Sequence, residues 1–117
     1  MSTKAQEDIV IPVANQLAAY NKRDIDAFIV NFDPECVIED AEGNVIERGR
    51  YFIYAMYQKL FEESPALHCH LASRIVLSEY VIDEERVTGR AGSTDEIHVV
   101  AIYKIKDALI TNVRFLK

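Results

Sequence analysis

The apolar positions of this chain alternate between two periods. From about Ala5 to Lys22, Ile9, Val13, Leu17 and Tyr20 recur every three or four residues with polar residues between them, the spacing of one helix face. Pro12 interrupts that pattern. It lacks a backbone donor and disfavours helix at Ile11, so the regular helix is expected to start near Pro12, with a kinked or separate turn ahead of it. Asp24 reads as the N-cap of a short second helix, DIDAFIVNF, which stops before Asp33-Pro34. After Pro34 the period becomes two. Glu35 to Asp40 is expected as a strand, Ala41 to Asn44 as a turn and Val45 to Glu47 as a short return strand. The helical period resumes from Arg50 to Glu63, where Ile53, Met56, Tyr57, Leu60 and Phe61 mark one face. The further aromatics Tyr51, Phe52 and Tyr54 predict cover on two sides. Beyond Ser64-Pro65 the pattern is strand throughout: Leu67 to Leu77, Tyr80 to Asp83 with Arg86 to Arg90, Ile97 to Lys106, and Ala108 to Leu116. Asp83-Glu84-Glu85, Ala91 to Thr94 and Lys106-Asp107 read as turns.

Helices first and a long antiparallel meander after is an α+β order, and one domain is expected to span residues 1–117. Strands of about ten residues curl instead of lying flat, so helices packed into the concave side of such a sheet would leave a conical cavity. A chain that is 50% hydrophobic and 27% charged has the composition of a folded protein. Its net charge of −6, with 13 scattered Lys and Arg, offers no basic stripe for a phosphate backbone, and nucleic acid is not an expected partner. The start, MSTKAQED, has no signal-peptide pattern, and no apolar run is long enough to cross a membrane, so no membrane association and a cytoplasmic location are expected. Neither a phosphate loop nor a dinucleotide fingerprint is present, and no cofactor is expected.

Candidate chemistry is concentrated at the end of the first strand. Alternation from Cys36 puts Ile38 and Asp40 on one face, leaving Glu39 on the other. A carboxylate in that position is either a strand-end residue back in water or an acid whose ionisation is tuned. Cys36 and Cys69 fall in apolar strand patterns and read as small core residues. His68, His70 and His98 raise the question of a metal, but His98 shares parity with Val100, Ile102 and Lys104, opposite to Val99, Ala101, Tyr103 and Ile105. The second set suits the concave face better, so the histidines are expected to point outward and no metal is expected. The outward set His70, Ala72, Arg74 and Val76, with Val100 and Ile102, is more apolar than a solvated face needs, which implies a homodimer through the convex side.

Four stretches carry a family resemblance: LAAYNKRDIDAFIVNFDPECVIED, GNVIERG, IYAMY and VVAIYKIKDALITNVRF. Together they resemble the SnoaL-like and ketosteroid-isomerase-like branch of the NTF2-like superfamily, over nearly the whole chain. The resemblance implies a cone-shaped NTF2-like barrel with three N-terminal helices packed on a strongly curved, mixed, mainly antiparallel sheet around an apolar pocket. In ketosteroid isomerases an aspartate that ends the first strand is the general base, and Asp40 is similar to it. The family's donor tyrosine falls on Gln16 and its protonated acid near Ala101, so both oxyanion donors are absent; each is worth roughly 3 kcal/mol, and rapid steroid isomerisation is not expected. Tyr57 matches a family tyrosine, and Tyr20 lies one helical turn from Gln16. The resemblance thus implies a pocket for a small apolar organic ligand, lined by Gln16, Tyr20, Met56, Tyr57, Val99, Ala101, Tyr103 and Phe115. Asp40 would serve as base for a cofactor-independent isomerase, dehydratase or cyclase reaction. The alternative is a non-catalytic dimerisation or ligand- and partner-binding module whose cavity is filled by Met56, Tyr57, Tyr103 and Phe115.

Overall fold

In the computed structural model, which describes residues 3–117, the first helix, α1 (Lys4–Lys22), runs through Pro12 without a break. The expected start near Pro12 is therefore corrected. Thr3 and Gln6 form a reciprocal capping box that fixes the first turn, and Ile9 and Val10 pack against the core, so the turn ahead of the proline is held at both ends. The helix ends at Arg23 in left-handed backbone, whose N–H returns to the carbonyls of Ala19 and Tyr20. Asp24 then caps α2 (Ile25–Ile29) by accepting from the Ala27 N–H.

Strands β1 (Phe32–Glu39) and β2 (Val45–Arg48) form the hairpin, followed by α3 (Arg50–Glu63), β3 (His68–Leu77), β4 (Tyr80–Thr88), a short 3₁₀ turn (Arg90–Gly92), β5 (Ile97–Lys106) and β6 (Leu109–Leu116). One six-stranded sheet has the order β2-β1-β6-β5-β4-β3; β1 and β6 run parallel and every other pair is antiparallel. Helix α1 lies across β3 to β6, while α3 covers β1, β2 and the 3₁₀ turn. This is the expected curled α+β arrangement, with Val13, Phe28, Ile38, Ile53, Val81, Ala101 and Val113 in the core between helices and sheet. Two clamps fix α1 to the start of β3. Asn21 exchanges hydrogen bonds with the Cys69 backbone at 3.0 and 2.7 Å, and Arg23 donates to the Leu67 carbonyl at 2.9 Å. Among the described residues no helix is long and apolar enough to cross a membrane.

Two details of the sheet depart from the expected pattern, and both concern charge. The acidic run Asp83-Glu84-Glu85 is not a turn but the middle of the continuous β4, with the turn placed at Ser78-Glu79 instead. Each acid has a reason to be in the strand: Asp83 is fully buried against Arg74, Glu84 points outward to Ser73 and His98, and Glu85 faces the helices. A register shift between Leu71 and Ser73 then reverses parity along β3. Arg74 and Val76, expected on the outer face with His70, stand opposite Asp83 and Val81 on the inner side. Alternation counted through a bulge assigns every later residue to the wrong face. The histidines do point outward: His68, His70 and His98 are exposed, and His98 Nε2 meets a Glu84 carboxylate oxygen at 2.7 Å.

Candidate functional site

Between α1, α3 and the inner face of the sheet lies a cavity of about 480 Å³, within the range that holds small organic ligands. Its walls follow from the strand pairing. Val87 and Ile97 are partners, as are Glu85 and Val99, and Val81 and Tyr103, so β4 and β5 present one continuous inner surface; β6 adds Phe115 and β1 adds Ile38. From above, α1 contributes Gln16, Leu17 and Tyr20, while α3 contributes Met56, Tyr57 and Leu60. Ala41, Glu42, Ile46, Arg90 and Lys117 are exposed and form the rim, whereas Gln16, Ile38, Cys69, Glu85, Val99 and Tyr103 are buried and form the floor.

Of the residues expected from the sequence, Asp40, Gln16, Tyr20, Met56, Tyr57, Val99, Tyr103 and Phe115 all line this cavity. Ala101 does not. It is fully buried on the same sheet face as Val99 and Tyr103, paired with Asp83 on one side and Phe115 on the other. Met56, Tyr57, Tyr103 and Phe115 border the space without filling it, which goes against the alternative of a cavity filled by its own side chains. Deep in the site Gln16 donates through Nε2 to the Tyr103 hydroxyl at 3.1 Å, which leaves the phenol proton directed to another acceptor. Burial raises the pKa of Tyr103, Tyr57 and Tyr20, in each case ahead of any charge effect, so these phenols stay protonated donors.

Asp40 sits at the rim, and its carboxylate is engaged in the hairpin turn. It accepts from the backbone N–H of Glu42 at 3.0 Å and of Asn44 at 2.9 Å, and from the Asn44 side chain at 3.1 Å. These bonds, led by the one from the Asn44 N–H, hold its pKa below the usual carboxylate value. Glu39 lies on the opposite face, 3.5 Å from Arg114.

The sequence reading missed Glu85. Its side chain is 5% exposed, in the cavity wall, with Asp83 two residues away on the same face and Cys69 diagonally across on β3. Burial, and after it the charge of Asp83, pushes its pKa up to about 7, while the Cys69 thiol and the Arg74 guanidinium pull the other way. Arg74 in turn grips Asp83 with two parallel bonds of 2.7 and 2.9 Å, which holds the Asp83 carboxyl in place beside Glu85. A carboxyl with a pKa near 7 among phenol donors can both give and take a proton at neutral pH. A usable signal was present in VIDEERV: counted with period two, Val81, Asp83, Glu85 and Val87 share one face, and the two valines mark it as the core side. Arg90, on the 3₁₀ turn, and Cys69 were also missed as lining residues. Neither thiol has the low pKa of a nucleophile, since burial raises Cys69 and carries Cys36 up to about 12. Among the described residues no group of three or more His, Cys, Asp or Glu is placed to hold a metal ion.

Residues 13–113 match the family described as the SnoaL-like domain. No curated protein matches the chain. Similar solved structures include an uncharacterized cystatin fold protein from Novosphingobium aromaticivorans, 22% identical with a TM-score of 0.86 over 93% of this chain and 97% of that one. A proposed SnoaL-like polyketide cyclase from Jannaschia sp. CCS1 is 16% identical with a TM-score of 0.84, over 99% and 89%. An LEH-like epoxide hydrolase from M. tuberculosis is 15% identical with a TM-score of 0.81, over 93% and 81%. At these identities the likeness is one of fold, the α+β cone of NTF2-like proteins.

Proposed function

The chain belongs to the SnoaL-like family, and from that premise we propose that it is a small-molecule enzyme that moves a proton on a mostly apolar carbonyl compound without a cofactor, with Glu85 as the acid–base group. The observation that carries this reading is a buried carboxyl with a pKa of about 7 in the wall of a 480 Å³ cavity. In its ionised form Glu85 would take a proton from the carbon next to the carbonyl; the Tyr103 hydroxyl, oriented by Gln16, would donate to the enolate oxygen, and protonated Glu85 would return the proton elsewhere on the substrate. Tyr57 and Tyr20 are further donors in the same space, and Met56, Val99 and Phe115 supply apolar contact. Asp40, the base that the resemblance implied, is in this reading the residue that holds the rim turn. Its lowered pKa and its three hydrogen bonds favour that role over proton transfer. Fold likeness to a proposed polyketide cyclase and to an epoxide hydrolase is compatible with acid–base chemistry in this cavity but does not select a reaction.

Hydrogen–deuterium exchange tests this without knowledge of the natural substrate. An apolar enolisable ketone such as 2-tetralone should exchange its α-protons in D₂O faster with the protein than without. Glu85→Gln should lose about 100-fold or more of that enhancement, whereas Asp40→Asn should keep most of it. Unchanged exchange in Glu85→Gln would remove the assignment.

A homodimer through the outer sheet face is proposed as well. Ile75 and Leu77 are 59% and 63% exposed there, beside the half-buried Ile82, Val100 and Ile102. Analytical ultracentrifugation that finds a monomer at micromolar concentration would refute it.

A further inference from the structure

The rim of the cavity contains a cation that the chemistry above does not use. Arg23, Arg50, Arg74, Arg86 and Arg114 each donate to a carbonyl or a carboxylate, and Arg48, whose side chain has no acceptor among the described residues, does not line the cavity. Arg90 does line it, and among the described residues its guanidinium has no hydrogen bond or ion pair. Its backbone, by contrast, is firmly built in. The next residue, Ala91, donates its N–H to the hydroxyl of the fully buried Ser64 at 2.8 Å, and the Ser93 N–H returns to the Arg90 carbonyl at 2.9 Å. Gly89 lies so close to Ala66 that an added Cβ would meet the Ala66 carbonyl oxygen at 2.2 Å. Ala91 itself holds a left-handed φ of 50°, a conformation that costs energy in a non-glycine residue. The fold thus fixes the base of a long cationic side chain at the mouth of an apolar cavity and, among the described residues, gives that side chain no partner of its own.

The surroundings specify what would complete it. Tyr20 and Tyr57 line the same cavity as Arg90, so its wall holds two hydroxyl groups besides the guanidinium. Of the two hairpin carboxylates that line the cavity, Asp40 has its oxygens committed to the turn. Of the other charged groups facing the cavity, Glu42 and Lys117 are exposed at the rim and Glu85 is at the floor. Between rim and floor the lining is apolar: Leu17, Met56, Leu60, Ile97 and Phe115.

We propose that the ligand is a small organic acid, with an apolar, ring-sized body seated against Met56, Leu60 and Phe115 and a carboxylate held at the rim by the Arg90 guanidinium. The proposal rests on the reading of the cavity as a ligand site and adds the charge and the orientation of what enters it. A guanidinium presents paired donors in the geometry of a carboxylate, and a charge-assisted bond of this kind is worth more than the contact a neutral ester makes in the same place. With the carboxylate fixed at the mouth, the apolar body extends towards Glu85 and Tyr103.

The chain has two methionines, so ¹³C-methyl labelling of methionine gives two resonances, and comparison with Met56→Leu identifies the one inside the cavity. Titration with 2-naphthylacetate and with its methyl ester then reads binding at that position. The acid is expected to bind the wild type at least tenfold more tightly than the ester. Arg90→Gln should weaken the acid about tenfold and leave the ester unchanged, Arg90→Lys should keep part of the preference, and Lys117→Gln should keep all of it. Equal binding of acid and ester to the wild type, an equal loss of both in Arg90→Gln, or loss of the preference in Lys117→Gln alone would overturn the anion assignment, while a saturable Met56 response would leave the cavity reading standing. No response of the Met56 methyl to either compound would overturn both.

Discussion

Substitution of Glu85 by Gln should change how stability depends on pH, and the size of the change follows from its place in the wall. The carboxyl is nearly inaccessible to water and its pKa rises from the ordinary 4.5 to about 7 on folding. One pKa unit corresponds to 1.36 kcal/mol, so ionised Glu85 costs the folded state roughly 3 kcal/mol. Below about pH 4.5 the group is protonated in both folded and unfolded chains, and it contributes no difference. Between 4.5 and 7 the unfolded chain releases a proton that the folded chain retains, so stability falls as pH rises; above about 7 both forms are ionised and the full penalty is in place. Glutamine keeps the size and has no proton to lose. The gain of Glu85→Gln over wild type should therefore be small at pH 4.5 and grow to roughly 3 kcal/mol by pH 8, or on the order of 10 °C in unfolding temperature for a chain of this length. Denaturant unfolding of both proteins at half-unit pH intervals measures it, and their difference cancels the carboxylates they share. Parallel stability curves between pH 4.5 and 8 would refute the burial argument and, with it, the acid–base role built on it.

Other consequences concern the parts that support the site. Asp83→Asn removes the charge beside Glu85 and leaves the Arg74 guanidinium without its carboxylate; it should cost roughly 3 kcal/mol and bring the Glu85 midpoint, read by ¹³C-carboxyl NMR, below about 7. Tyr103→Phe deprives the buried Gln16 amide of its acceptor and should lower stability by about 1–3 kcal/mol in denaturant unfolding. Gly89→Ala would drive a Cβ into the Ala66 carbonyl at a φ of 76°, and a loss of about 2 kcal/mol or more by calorimetry is expected, with the Arg90 turn displaced. Asp40→Asn should fold normally at pH 7. Because the Asp40 pKa is depressed, its contribution is present above the carboxylate range and lost as pH falls, so the variant should show a flatter acid limb than wild type.

How much of this was legible differs by element. Strand β5 alternates cleanly, and Val99, Tyr103 and the outward His98 were placed correctly because no bulge precedes them in the strand. The stripe of α1 likewise brought Gln16 and Tyr20 to the cavity. Failures occurred where a local rule met a distant partner. An acidic triplet reads as a turn by composition, but Arg74, nine residues earlier, makes Asp83 tenable inside the sheet. Parity along β3 failed at a bulge that has no signature in the amino acids there. Pro12 failed as a boundary because capping and packing on both sides outweigh one missing hydrogen bond.

By itself, the sequence determined the α+β order and the face of most strands, since these depend on hydrophobic period, and period is a local property of the chain; whether the space between helices and sheet is open was left to the packing. Only the tertiary structure decided which of two acids is buried in the cavity wall and which is held in the rim turn. Asp40 and Glu85 are both carboxylates in strand context, and what separates them is solvent and neighbours: three hydrogen-bond donors in an exposed turn lower one, while burial beside the clamped Asp83 raises the other. Desolvation and charge proximity are set by residues far apart in the chain, so no local pattern could assign them.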